Sequence, residues 1–496
     1  MRTIIALVVV GTLVAGTHRM LAAGQSSNGK CADLMSLRLP DLKVSEAVAV
    51  PAASTGPIRA AHCRVTGVIG TEIRFSLLLP DNWNQKFFMG GGGGFVGSIQ
   101  NSAQSTVNQG FATSGTDTGH QGNGTDASWA HNNLERQVNF GYLAVHRTAE
   151  MSKAIIAGYY GKPATRNYFQ GCSRGGGQAL MEAQRFPADF DGIISGAPAY
   201  DWTGIAAVML RNMQALFPNP NKIEELMFTP ELLKTVETKI LESCDKQDGI
   251  GDGVIDDPRQ CKVNVDALPL TPPQKNALKV IYSPTVNQDG ELYPAQPFGG
   301  EGQTAGWPTW ITGVKPPAQG QAPSLRFAFG TGIAKYLVFN DPNWDYSKYN
   351  FANWKKDSAL AASFLNATNP DLTALNARGG KLILWHGWAD PALSPLASIR
   401  YQEQVYARDP NAASYFRMFL MPGVLHCAGG AGPDNADWTE AIVQWVEQGK
   451  APQRVVATKL QGSNVTRSRP LCAYPQKAVY NGSGSTDDEK NFSCRQ

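Results

Sequence analysis

Tyr168-Phe169-Gln170-Gly171-Cys172-Ser173-Arg174-Gly175-Gly176-Gly177 is the stretch on which the reading of this chain turns. An aromatic, strand-like pair leads into G-x-S-x-G, and Gly177 to Phe186 continues with a helical pattern. A strand, a sharp turn and a helix in that order lift a serine hydroxyl above the edge of a sheet. Glycines two residues to either side remove the side chains that would collide in such a turn. The helix that starts there points its positive end and free N–H groups at negative charge developing beside the serine. G-x-S-x-G alone is weak in a chain with 51 glycines. Its strand–turn–helix setting gives it weight.

To the N-terminal side, Ile73, Phe75, Leu77 and Leu79 alternate with polar residues, and Val65 to Pro80 reads as one half-buried strand. Lys86 to Met89 is a short buried strand that runs into the glycines at 90–94, and Phe111 to Ser114 is another. Met151 to Tyr160 reads as a helix, and Gly192 to Ser195 as an apolar strand. Strands alternating with helices predict an α/β fold whose mostly parallel sheet is covered on both faces. From about 200 to 376 the pattern gives way to an irregular stretch rich in Pro, Gly and Trp, with short helical pieces such as Pro230 to Leu241. It resumes at Lys381 to Trp385 and at Tyr415 to Met421. The reading is one catalytic domain in two parts, 24–199 and 377–496, interrupted by a large lid inserted at 200–376.

A serine nucleophile needs a base, and the base needs an orienting acid. In an α/β-hydrolase fold the three follow in the order Ser, Asp or Glu, His. Two histidines lie downstream of Ser173: His386 and His426. His426 sits in the loop after the strand ending at Met421, and Asp390 follows the strand ending at Trp385. Both fall past the carboxyl ends of strands, where open α/β sheets build their sites. Ser173, Asp390 and His426 are therefore the expected triad. Cys172 precedes the serine and Cys427 follows the histidine, so a Ser–His contact brings the two thiols within disulfide reach. The expected oxyanion donors are the backbone N–H of Arg174 and one from the glycine run, Gly91 first and Gly92 second.

Cys244 to Cys261 encloses a second concentration of chemistry. Asp245, Asp248 and Asp252 alternate with glycines, and with the carbonyls of Ile250 and Val254 they form a hard-oxygen set suited to Ca²⁺. The spacing is not that of an EF-hand. A Cys244–Cys261 disulfide would close the loop, contributing roughly 3 kcal/mol in the chain-entropy model. The expected role of the ion is structural.

Composition frames these readings. The 496 residues are 42% apolar and 17% charged, with a net charge of +3, and no basic tract points to nucleic acid. Arg2, the apolar run Ile4 to Val14 and the small residues near Ala22-Ala23 read as a secretory signal peptide over 1–23. No other apolar run reaches membrane-spanning length. A secreted or periplasmic location makes disulfides the natural state of the eight cysteines, none of which forms a CxxC pair. The sequence carries no signal of oligomeric state.

With Cys172-Ser173, Asp390 and His426-Cys427 in place, the chain resembles the tannase and feruloyl esterase family, which includes mono-hydroxyethyl terephthalate hydrolases. The aspartate loop at 245–256 and the glycine run before Phe95 match that family's calcium and oxyanion segments. The resemblance covers about Cys31 to Cys494 and implies two further bridges, Cys31–Cys63 and Cys472–Cys494. It implies hydrolysis of aromatic-acid esters through an acyl-enzyme, with no organic cofactor. Substrates are then small phenolic esters, free or attached to plant polysaccharide or tannin, with feruloyl esters ahead of gallate or terephthalate monoesters. Trp310, Phe327, Phe329 and Leu393 are candidates to hold the ring, and Arg326 to meet a free carboxylate. Leu393 stands where terephthalate hydrolases are expected to carry a bulky aromatic. A non-catalytic polyphenol- or glycan-binding protein is the contrasting reading, and it gives no reason for an intact Ser–His–Asp set.

Overall fold

Nine strands form one sheet in the order β1-β2-β3-β5-β4-β6-β7-β8-β9. They are β1 (Leu42–Val50), β2 (His62–Ile69), β3 (Ile73–Pro80), β4 (Lys86–Gly90), β5 (Ala112–Thr116), β6 (Arg166–Cys172), β7 (Gly192–Gly196), β8 (Lys381–Gly387) and β9 (Phe416–Met421). This computed structural model describes residues 27–496, so the expected signal segment at 1–23 lies outside the described residues. From β5 to β9 every neighbouring pair is parallel, whereas β1, β2, β3 and β5 pair antiparallel. The parallel strands carry continuous buried runs, Phe87-Phe88-Met89, Ile193-Ile194 and Leu382-Ile383-Leu384. Such runs are what a sheet covered on both faces requires.

One strand expectation is corrected. Residues 65–80 are not a single strand but a hairpin, with Ile69 paired to Ile73 and His62 to Pro80. The alternation hid the turn because Val65, Ile69, Ile73, Phe75, Leu77 and Leu79 are all odd-numbered and all buried. A three-residue connection keeps the period of two in phase across both arms. Gly70, at φ +60°, makes the reversal possible.

The helices that position the site flank this sheet. α1 (Ala144–Tyr160) precedes β6, and α2 (Arg174–Arg185) leaves it directly after Ser173. α2 opens on three glycines because its first turn rests on other backbone. A Cβ at Gly176 would lie 2.2 Å from the Gly196 carbonyl oxygen, and one at Gly177 2.0 Å from that of Ala199. The segment between β7 and β8 is more regular than its composition suggests. It contains α3 (Trp202–Leu216), α4 (Pro230–Cys244) and α5 (Leu325–Gly332), besides a helix at Pro272–Ile281 and shorter pieces. α3 escaped the sequence reading because it is buried nearly all round, from Trp202 through Met213, which erases the amphipathic period. β7 and β8 bracket this segment yet pair side by side, Gly192 against Lys381 through Gly196 against Trp385. The sheet thus continues after the insertion as if uninterrupted. α6 (Pro395–Arg408) and α7 (Trp438–Gln448) complete the covering layers.

All eight cysteines are bridged as Cys31–Cys63, Cys172–Cys427, Cys244–Cys261 and Cys472–Cys494. No helix among the described residues is long and apolar enough to cross a membrane.

The close approach of α2 to β7 makes a direct prediction. Gly176→Ala should lower the unfolding free energy read from urea titration by the ~1–3 kcal/mol typical of overpacking. Gly122→Ala, whose new methyl would meet nothing nearer than 3.9 Å, should stay within about 0.5 kcal/mol of the parent. Equal effects would show that the approach is not tight.

Candidate active site

Ser173 sits at the joint between β6 and α2 with φ 63° and ψ −122°, a conformation that costs a non-glycine residue about 1–3 kcal/mol. Three backbone hydrogen bonds hold it there. The Ser173 N–H donates to the Gly196 carbonyl (3.0 Å), and the Ser173 carbonyl accepts from Gly177 (3.0 Å) and Ala199 (2.8 Å). The hydroxyl is left free, and its Oγ lies 2.8 Å from His426 Nε2. His426 Nδ1 is in turn 2.8 Å from Asp390 Oδ2. The structure therefore joins the three residues singled out in the sequence into one hydrogen-bonded line.

Asp390 is wholly buried. Its Oδ1 accepts from the backbone N–H groups of Ala392 (2.7 Å) and Leu393 (3.0 Å). Burial alone pushes this carboxyl up, but the electrostatic pull of His426 and the hydrogen bonds from His386 and His426 outweigh it and hold Asp390 well below the usual carboxylate range. It stays ionised through the neutral range and presents a fixed negative charge to the imidazole. His386, noted in the sequence only as a second downstream histidine, also reaches Asp390 Oδ2, at 3.2 Å.

The Cys172–Cys427 bridge spans 255 residues and brings the two Cα atoms to 6.0 Å, one beside the serine and one beside the histidine. The His426 loop is thereby tied to the nucleophile turn.

The oxyanion assignment needs one correction. The Gly91 N–H donates to the Gln170 carbonyl (2.8 Å), extending the ladder between β4 and β6, so it does not face a substrate oxygen. Gly92 and Gly93 donate to the side-chain oxygens of Gln178 and Gln100. Gly94 is the glycine that lines the Ser173 pocket together with Arg174. At φ +56°, with a hypothetical Cβ only 2.4 Å from the Gly124 carbonyl oxygen, it is a position that only glycine fills. A run of identical glycines gives sequence reasoning no register, which is why Gly91 was singled out.

Beside Ser173 the pocket is walled by Trp202, Ile205 and Met209 of α3, by Trp310 and Phe329, and by Leu393. The Trp310 ring meets the His426 ring edge-on at 4.7 Å. Trp310, Phe329 and Leu393 are thus in place as read. Two other substrate candidates are not. Phe327, two residues before Phe329 and on the other side of the helix, packs edge-on against Phe217 and Tyr346. Arg326 is buried and bonds to Gln296 Oε1 (2.5 Å), which leaves it outside the pocket lining. Gln296 donates on to the Asp390 carbonyl (2.7 Å), so Arg326 supports the acid loop from behind. The α3 wall went unread because α3 itself did. Arg174, despite its place after the serine, turns its guanidinium to the carbonyls of Phe140 and Gly141. Burial pushes its pKa down to about 9.

Acidic side chains gather at two places. In the aspartate loop, Asp245 Oδ1 accepts from the N–H groups of Asp252 and Gly253, Asp248 Oδ1 from Ile250, and Asp252 Oδ1 from Val254. These bonds wrap the backbone around the carboxylates. Arg469 and Arg467 reach Asp252 Oδ2, at 2.8 and 3.4 Å. Burial first, then repulsion from Asp252 and Asp245, raises Asp248; burial and Asp248 push Asp256 up to about 6. Crowded carboxylates that repel one another, within a loop closed by Cys244–Cys261, are a donor set that a hard cation would relieve. His146, Glu182 and Asp189 also lie close together. There Lys153 Nζ already occupies Asp189 Oδ1 (3.1 Å), and His146 Nδ1 meets Asp189 Oδ2 (2.6 Å). That group is an internal ion-pair network joining α1 to the turn after α2.

Comparison with known proteins agrees with this geometry. A family model described as tannase and feruloyl esterase matches residues 58–495. The chain is 34% identical to an uncharacterized esterase of Xanthomonas campestris pv. campestris, over 95% of this chain and 92% of the relative. It is 31% identical to a mono(2-hydroxyethyl) terephthalate hydrolase of Piscinibacter sakaiensis, over 90% and 87%. The crystal structure of feruloyl esterase B from Aspergillus oryzae superposes with a TM-score of 0.84 at 28% identity, covering 95% of this chain and all of that one.

Removing the staple should separate stability from activity. The double variant Cys172→Ala/Cys427→Ala loses a cross-link worth on the order of 5 kcal/mol in the chain-entropy model. Its kcat/KM should fall at least about tenfold even well below its lowered Tm, because the His426 loop is no longer tied to Ser173. Full activity per folded molecule would show that the bridge serves stability alone.

Proposed function

The chain belongs to the tannase and feruloyl esterase family and is a carboxylic ester hydrolase, and on that premise we propose that Ser173, His426 and Asp390 cleave esters of weakly polar aromatic acids, hydroxycinnamates foremost. His426 Nε2 takes the proton as Ser173 Oγ attacks the ester carbonyl carbon. Asp390, buried and ionised, stabilises the imidazolium that results. The carbonyl oxygen, now an anion, accepts from the backbone N–H groups of Arg174 and Gly94. Collapse breaks the bond to the alcohol, which leaves with the proton from His426. Water then enters by the same route and releases the acid from Ser173.

The observation that carries the substrate reading is the wall of the pocket. Apart from Ser173 and His426, its side chains are aliphatic or aromatic, and the Arg174 guanidinium points elsewhere. A ring sandwiched by Trp310, Phe329 and Leu393 gains apolar burial. A terephthalate carboxylate finds no cation there, and the three hydroxyls of a gallate find few partners, so each would lose hydration without return. Feruloyl or coumaroyl groups present one hydroxyl and fit better.

Three supporting features extend the proposal. The apolar N-terminal run and the four bridges favour export to an oxidising compartment. A Ca²⁺ ion held by Asp245, Asp248 and Asp252 with the carbonyls of Ile250 and Val254 would neutralise the crowded loop and fix it. The segment 200–376 acts as a lid, since Trp310 and Phe329 both come from it.

A panel of methyl ferulate, methyl gallate and a terephthalate monoester tests the substrate reading. Methyl ferulate should exceed both others in kcat/KM by about tenfold or more, and Ser173→Ala should abolish turnover of all three. A preference for the terephthalate monoester would sink the apolar-pocket argument, and residual turnover in Ser173→Ala would sink the nucleophile. For the metal, EDTA should lower the Tm of the parent, and Asp248→Asn should lower it without added chelator and leave little further response. A melting curve indifferent to both calcium and chelator would overturn the loop assignment.

A further inference from the structure

Asp390 is gripped by two histidines, and ester hydrolysis as derived above uses one of them. His386 lies on β8, almost wholly buried. Its Nε2 is 3.2 Å from Asp390 Oδ2, the same oxygen that His426 Nδ1 approaches to 2.8 Å, and 3.2 Å from the Leu393 carbonyl oxygen. Its Nδ1 is 2.8 Å from the hydroxyl of Ser398, a buried residue of α6. Nε2 therefore faces two acceptors, neither of which carries a proton, so the proton must sit on Nε2. Nδ1 then accepts from the Ser398 hydroxyl. The surroundings thus direct the Nε2 proton at Asp390 and the Leu393 carbonyl.

We propose that His386 is a positioning residue of the esterase, whose N–H shares Asp390 Oδ2 with His426 and thereby sets both the aim of the carboxylate and the basicity of the catalytic imidazole. The inference rests on the triad reading of the preceding subsection. With Oδ1 held by Ala392 and Leu393 and Oδ2 held by His386, the carboxylate cannot rotate away when His426 swings to protonate the leaving alcohol. A second N–H on Oδ2 also draws off part of the negative charge that would otherwise stabilise the His426 imidazolium.

The other ionisable groups facing Asp390 do not interfere in an assay between about pH 4 and 9. Arg326, reaching it through Gln296, is pushed down by burial only to about 10. Burial pushes Tyr293 further up from its ordinary value.

The sign of the effect follows. Removing the His386 N–H leaves Asp390 more strongly paired with protonated His426, so the acid limb of kcat/KM moves to higher pH. His386→Leu should lower kcat for methyl ferulate by about tenfold with KM changed less than about twofold, and should raise the acid limb by about half a unit. His386→Gln places an amide N–H where Nε2 was and should restore the limb to its parent position. His386→Asn places its amide on the Ser398 side and should behave as the leucine variant does, which keeps the test open if leucine fails to fold. Parent-like limbs in both the Leu and Asn variants, or an equal shift in the Gln variant, would overturn the proposal. Loss of the nucleophile reading is distinguishable, because it would show as activity surviving in Ser173→Ala.

Discussion

The strained backbone of Ser173 is the constraint that organises this molecule. At φ 63° the residue is held against its own preference by the carbonyl of Gly196 and the N–H groups of Gly177 and Ala199. Those partners belong to β7, to the turn after it and to the first turn of α2. They can converge only if α2 lies on backbone rather than on side chains, which is why Gly176 and Gly177 carry no Cβ. The strain of about 1–3 kcal/mol is small beside the cooperative sheet that imposes it, and it leaves the hydroxyl with no neighbour but His426.

The rest of the site is an exercise in placing groups at the carboxyl ends of strands. β6, β8 and β9 deliver serine, acid and base in turn, and their parallel pairing through β7 sets the distances between them. The sheet does not supply the walls. Trp202, Ile205 and Met209 come from α3, and Trp310 and Phe329 from further along the same insertion. The strand ends thus place the reactive side chains, and the insertion supplies much of the wall they face. The edge-on contact of Trp310 with His426 is where the two meet.

This division also explains what was legible in the sequence. Ser173, Asp390 and His426 could be read because each follows an apolar strand and because their order is that of the fold. Cys172 and Cys427 could be paired because a contact between their neighbours implies one between them. Gly94 could not be told from Gly91, since what separates them is a hydrogen bond to Gln170 and not a side chain. Phe327 misled because it lies two residues before Phe329, on the other side of helix α5, and Arg326 because Gln296 takes it up behind the pocket wall. α3 was missed for the opposite reason: burial on all sides leaves no periodicity to detect. The hairpin at 62–80 was missed because its turn preserved the parity of the strands it joins.

Arg174 and Arg326, both buried beside the pocket, show why charge near this site does not translate into charge in the pocket. Neither Arg174 nor Arg326 meets a carboxylate. Arg174 is satisfied by the carbonyls of Phe140 and Gly141 and stacks over the Phe140 ring, and Arg326 by Gln296. Burial lowers both, to about 9 and about 10, yet each remains protonated near neutral pH. Each cation therefore fixes a backbone segment bordering the pocket, one through carbonyl acceptors and the other through the Gln296 amide that holds the Asp390 carbonyl. Turning either toward a substrate carboxylate would undo the support it gives. A chain of this family that acquired an anionic acyl preference would have to place a new cation on the insertion, and the wall around Trp310 and Phe329 is the part of the pocket that can change without loosening Ser173 or Asp390.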